Sequence, residues 1–184
     1  MKKILTFILV FYFLILLQNS LLSYFKVFGT IPNLILISVI LATFFEREKV
    51  IFEPEQNLSI LSAFFGGFFL DIFSNRPIGL SIISLLLLVF ILKKILKISE
   101  TENILWCIFI FVFSIFLFKF FSFLAVGLIN FPFSLKGFLS LFPEYFSNST
   151  GAEIVYNLIL GILGYYLLEL QNIIQGKHRI TNTK

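Results

Sequence analysis

Charge is what this sequence has least of. Only 13% of its 184 residues are Asp, Glu, Lys or Arg, against about 25% in a typical soluble domain. Cysteine occurs once, as Cys107 within an apolar stretch, so no intrachain disulfide forms and the redox compartment is not indicated. Histidine also occurs once, as His178 in the C-terminal tail. That leaves no metal-ligand cluster, no nucleophile–base pair and no implied cofactor. Neither a P-loop nor a dinucleotide fingerprint occurs. These absences argue against an enzyme. The net charge of +4 does not indicate nucleic acid, because the basic residues flank apolar runs. No polar stretch is long enough to fold separately, so residues 1–184 form one domain.

What fills the chain is apolar. Hydrophobic residues make up 59%, Phe alone occurs 27 times, and the mean hydropathy is +1.01. That is too apolar for a water-facing surface, and an all-α integral membrane protein is expected. Six candidate spans lie at residues 4–22, 31–45, 58–73, 78–92, 104–126 and 152–170. The second, third and fourth are short, about 22–24 Å as helix, against a hydrocarbon core of about 30 Å. The runs are continuously apolar rather than alternating, which favours a helical bundle over a barrel.

Lys and Arg set the orientation. With the N-terminus in the cytoplasm, the inner segments hold Lys2, Lys3, Arg47, Lys49, Lys93, Lys94, Lys97, Lys177, Arg179 and Lys184. The outer segments hold Lys26, Arg76 and Lys136. Ten against three is a positive-inside bias, and it requires an even number of spans with both termini cytoplasmic. Residues 1–17 imitate a signal peptide, but no small-x-small cleavage site follows, so they are expected to remain as the first helix. Residues 46–57 and 93–103 are expected cytoplasmic loops, the first with alternating charges typical of a solvated face. Pro132 and Pro143 bracket an apolar stretch, 133–142, that suits a short helix on the outer surface.

The third span carries the most information. Ser62/Gly66 and Ala63/Gly67 are overlapping small-xxx-small pairs, which let another helix approach closely. Four residues further, Asp71 falls on the face of Ala63 and Gly67, so its carboxylate points to a neighbouring helix rather than to lipid. At mid-membrane it would cost roughly 2.5–3.5 kcal/mol, and less near a span end. It is either a binding residue or a helix-end carboxylate that accepts hydrogen bonds from the Ser74–Pro77 turn, and its position favours the second. Lys119 is the only base inside a span. At about 22 Å depth, against about 20 Å for Asp71, it either pairs with Asp71, or shares a polar pocket with Asp71 and Asn157, or snorkels to the outer headgroups. The sixth span places Glu153, Asn157, Gly161 and Gly164 on one polar and small stripe, as ordinary bundle packing requires.

Gly67, Asp71 and Pro77-Ile78-Gly79-Leu80 together resemble the signature of the MreD family of bacterial rod-shape-determining membrane proteins. Pro32-Asn33-Leu34 is similar to that family's lead-in to its second span, and Tyr156-Asn157 to its last span. Ala63 stands where the family often has Gly. The resemblance covers nearly the whole chain, with residues 62–80 its specific part. It implies a non-enzymatic protein of the bacterial cytoplasmic membrane with a six-helix fold like that of the S components of energy-coupling-factor transporters. It also implies work beside an MreC-like partner in the elongation machinery that directs lateral peptidoglycan synthesis. The family's associates include MreB, a RodA-type glycosyltransferase and a class B penicillin-binding transpeptidase. The small-residue faces of the third and sixth spans would then set the bundle or dock the partner's helix.

The fold likeness supplies a rival, a vitamin-binding uptake subunit. Against it, the first span contains no Gly or Ala with which to dock a transport partner, and the outer loops lack the aromatic and polar mixture of a vitamin lid, although residues 130–150 are long enough to close over a ligand. A channel has only Asp71 and Lys119 behind it.

Overall fold

The computed structural model describes residues 2–26, 29–49, 58–74, 77–98, 104–130, 134–140, 142–145 and 149–181. Among them the chain is helical, with no β-strand. The long helices are α1 (Lys2–Ser20), α2 (Leu34–Lys49), α3 (Leu58–Phe73), α4 (Leu80–Ile98) and α5 (Ile104–Asn130). Two short helices, α6 (Leu135–Ser140) and α7 (Phe142–Tyr145), precede α8 (Ser149–Thr181). A 3-10 turn, Leu22–Phe25, follows α1.

Residues 34–45 of α2 are apolar apart from Ser38 and Thr43, and a stretch apolar nearly all round belongs in a core. Ile35, Leu36, Val39 and Ile40 are fully enclosed there, and α1, α3, α4, α5 and α8 all pack on it. The other helices bury one face and present large apolar side chains on the other. Phe13, Phe90, Leu105 and Leu167 are between 64% and 70% exposed. Polar groups go inward instead. Ser59, Ser62, Ser81, Ser84, Ser114, Asp71 and Asn157 are buried. Several buried hydroxyls are satisfied within their own helix, as where Thr43 donates to the Val39 carbonyl at 2.8 Å and Ser114 to that of Ile110 at 2.6 Å.

Among the described residues, two helical segments are long and apolar enough to cross a membrane, Leu105–Ile129 at a mean hydropathy of 2.5 and Thr150–Leu168 at 1.5. Helices α2 and α3 have 16 residues each, about 24 Å of helix, short of the roughly 30 Å core. The all-helical expectation is met. Helix length alone does not yield six spans.

Several boundaries differ from the sequence-based ones for local reasons. Helix α4 starts at Leu80 rather than Ile78, because Gly79 at φ +109° takes a backbone conformation that ends one segment before the next begins. It runs on through Lys93 and Lys97 to Ile98, since Lys is a good helix former. Helix α2 likewise continues past Phe45 to Lys49. Of the helix expected at 133–142, α6 covers Leu135–Ser140 and α7 begins at Phe142, while 133 and 141 lie outside the described residues. The remainders of the two expected inner loops, 50–57 and 99–103, lie outside the described residues.

Candidate functional site

Asp71 is 1% exposed, and both of its oxygens accept backbone N–H groups at the start of α4. Gly79 donates to Oδ2 at 2.7 Å and Ser81 to Oδ1 at 2.9 Å. The first N–H groups of a helix have no partner within it, and an anion there also complements the helix dipole. Asp71 therefore caps α4 from the neighbouring helix. The donors stand beyond Pro77, which is exposed and whose carbonyl accepts the Leu80 N–H at 3.4 Å, while residues 75 and 76 of the expected Ser74–Pro77 turn lie outside the described residues.

The small-residue face of α3 seats the same neighbour. A methyl group on Gly67 would stand 2.5 Å from Ile82 Cα and 2.6 Å from Ile82 N, so the backbones of α3 and α4 touch there. On the adjoining stripe, a methyl on Gly66 would meet the Ile35 side chain at 2.7 Å and the Phe11 ring at 3.2 Å. Ala63 is fully buried in the core. These faces are filled by helices of the same chain, so of the two alternatives, setting the bundle or docking a partner's helix, they serve the first. The same holds on α8: Gly161 abuts the Phe111 ring and Gly164 the Leu41 side chain.

The start of α2 is held from three places. Asn33 Oδ1 accepts the Leu36 N–H at 3.0 Å, a cap three residues ahead. Gln18 of α1 accepts the Leu34 N–H at 2.9 Å, and Asn157 of α8 accepts the Asn33 N–H at 2.6 Å. Pro32, buried just before, has no N–H to satisfy. Asn157 is completely buried, and its Nδ2 has no acceptor.

Lys119 pairs with Glu153 rather than with Asp71. Its ammonium lies 2.6 Å from Glu153 Oε2 and donates to Thr150 Oγ1 at 3.0 Å, with 15% of the side chain exposed. The proposed Asp71–Lys119 pair is thereby corrected. Both carboxylates had the depth to reach a cation, but Asp71's oxygens are committed to α4.

These groups surround a cavity of about 420 Å³ at one end of the bundle. Helix α1 contributes Gln18, the lead-in to α2 Ile31 and Asn33, and the end of α3 Leu70 and Ser74. Helix α4 contributes Ser81, α5 Phe118, Lys119 and Ser122, and α8 Glu153. The starts of α2, α4 and α8 all meet there, because the helices alternate in direction. Ser122 is 5% exposed, and its hydroxyl has no hydrogen-bond partner.

A second polar cluster sits at the opposite end. Glu46, expected in a solvated loop, is 8% exposed. Its Oε2 accepts the Ser59 N–H at 3.3 Å and the Ser59 hydroxyl, and lies 3.1 Å from Lys93 Nζ. It caps α3 as Asp71 caps α4. Gln18, Glu46, Lys93 and Ser122 carried no sequence signal of these roles, since their partners lie on other helices. Among the described residues, no three of His, Cys, Asp and Glu cluster to hold a metal.

Comparison with protein-family models, with characterised proteins and with solved structures finds no match.

Proposed function

We propose that this chain is a non-enzymatic, multi-pass scaffold of the bacterial cytoplasmic membrane, with six spans and both termini in the cytoplasm. In this proposal it acts as the resemblance to MreD implies, beside an MreC-like protein in the machinery that elongates the cell. One observation carries it. The residues of the distinctive stretch, Gly67, Asp71 and Gly79, are committed to joining α3 to α4. A motif spent on backbone contact and helix capping builds a rigid body and leaves no free acid for chemistry. The polar-in, apolar-out distribution supports a lipid surround, since exposed apolar area on this scale marks a membrane or protein contact. The short helices α2 and α3 fit a locally thin bilayer or one in which the bundle distorts the lipid around it. A partner helix would use a face other than the glycine stripes, which are already filled.

Depletion of the protein in its native cell tests this directly. Loss of rod shape, with an MreC-like protein co-purifying from solubilised membranes, is the expected result. Normal rods together with no such partner would reject it. A second reading, a vitamin-binding uptake subunit, is favoured by the cavity alone. Saturable binding of a vitamin to the purified chain is its test.

A further inference from the structure

The cavity between α1, α2, α4, α5 and α8 has hydrogen-bond donors to spare. Gln18 and Asn33 each spend their carboxamide oxygen on a backbone N–H of α2, which orients the side-chain amide and leaves its NH2 group without an acceptor among the described residues. Lys119 uses two of its three protons, on Glu153 and Thr150. The Ser122 hydroxyl is buried against the cavity with no partner among the described residues. A buried polar group left unpaired is costly, so its persistence points to something that fills the site. The starts of α2 and α8 add positive potential at the same end. Opposing this donor set is Glu153, whose Oε1 makes no ion pair or hydrogen bond among the described residues.

We propose that this cavity binds a phosphodiester that carries a hydrogen-bond donor on its headgroup, with phosphoethanolamine as the best fit. The phosphate oxygens accept hydrogen bonds from Asn33, Gln18, Ser122 and Lys119. Its two non-bridging oxygens stand on a tetrahedral centre and each accepts more than one hydrogen bond, which suits donors converging from several helices better than the planar oxygens of a carboxylate. The ammonium goes to Glu153. The Lys119–Glu153 pair makes the site neutral overall, and a zwitterion matches that balance. A volume of about 420 Å³ is within the range of small-ligand sites. The same group occurs on a membrane lipid and on a free glycerophosphodiester. The inference does not depend on a scaffold role, because the soluble compound binds or fails to bind whatever the chain's partners are.

The test uses the full purified chain in neutral detergent, with its thermal midpoint followed as two probes are titrated. One is a short-chain phosphatidylethanolamine, the other glycerophosphoethanolamine. A saturable rise with the lipid alone assigns the site to a bilayer headgroup, and a rise with the soluble probe assigns it to the free phosphodiester. Either supports the proposal if two variants weaken binding by about tenfold or more, a loss of one polar anchor. Ser122→Leu fills the cavity. The double variant Lys119→Met with Glu153→Met removes the charges while keeping the volume, a change that buried pairs often tolerate. Should Ser122→Leu fail to fold, Ser122→Ala replaces it, with weakened binding at an unchanged midpoint of the free protein expected. Absence of a rise with both probes, or a rise that the variants retain, overturns the proposal.

Discussion

At the scale of single residues, the two acidic side chains at the cavity end have opposite commitments. Asp71 serves backbone, and Glu153 serves a side chain. Replacing Asp71 with Ala leaves the Gly79 and Ser81 N–H groups buried beneath a lost acceptor. Hydrogen bonds to a charged group are worth about 1.5–3 kcal/mol each before relaxation, and helix caps about 0.5–2 kcal/mol. Asp71→Ala is therefore expected to destabilise the bundle by about 2–4 kcal/mol, read from the denaturation midpoint in detergent. An unchanged midpoint would show that the cap is dispensable. The Lys119–Glu153 pair makes a different prediction. Lys119→Glu and Glu153→Lys should each lower stability, and the double exchange should recover most of the loss. Exchanging Asp71 with Lys119 should recover nothing, because the carboxylate required at 71 caps a helix rather than pairing with Lys119.

At the scale of helices, close approach is decided by what stands opposite each glycine. Gly67 faces backbone and Gly66 faces side-chain ends. A rotamer can move aside and a helix axis cannot without disturbing its other contacts. Gly67→Ala is expected to cost about 1–3 kcal/mol, with Gly66→Ala costing less, in the same midpoint measurement. Equal costs would mean that α3 and α4 slide apart freely. Gly161 resembles Gly67 more than Gly66, although its neighbour is a side chain. The Phe111 ring is 1% exposed and stacks on Phe44 with centroids 5.6 Å apart, so it has nowhere to go. Small residues at steps of four were legible as close-packing sites from the order of residues alone. Which helix they admit was not, because α1, α2, α4 and a foreign helix offer similar apolar ridges.

At the scale of the whole molecule, the bundle has two polar ends and an apolar girth. One end holds the cavity with Lys119 and Glu153, and the other holds Glu46, Ser59 and Lys93. Lys26 and Lys136 belong to the first end and Lys97 to the second, and all three are exposed. With Cys107→Ser as background, a membrane-impermeant maleimide on intact cells should label Lys26→Cys and Lys136→Cys but not Lys97→Cys. The reverse pattern would invert the topology, and labelling of all three would argue against a bilayer between them.

The chain's own order of residues determined the helical class, most helix positions to within a few residues, and the polarity of the ends. Those properties depend on local periodicity, on run length and on Pro and Gly, all of which act over a few residues. It also marked Asp71, Lys119 and Asn157 as misplaced in apolar surroundings, because a polar group in such a run is costly wherever it ends up. Only the tertiary structure decided what relieves that cost. Asp71 found the start of α4, Lys119 found Glu153 across 34 positions, and Asn157 found Asn33 across 124. Hydrogen bonds of that reach are set by how helices register against one another, and register is settled by packing of the whole bundle rather than by any segment within it.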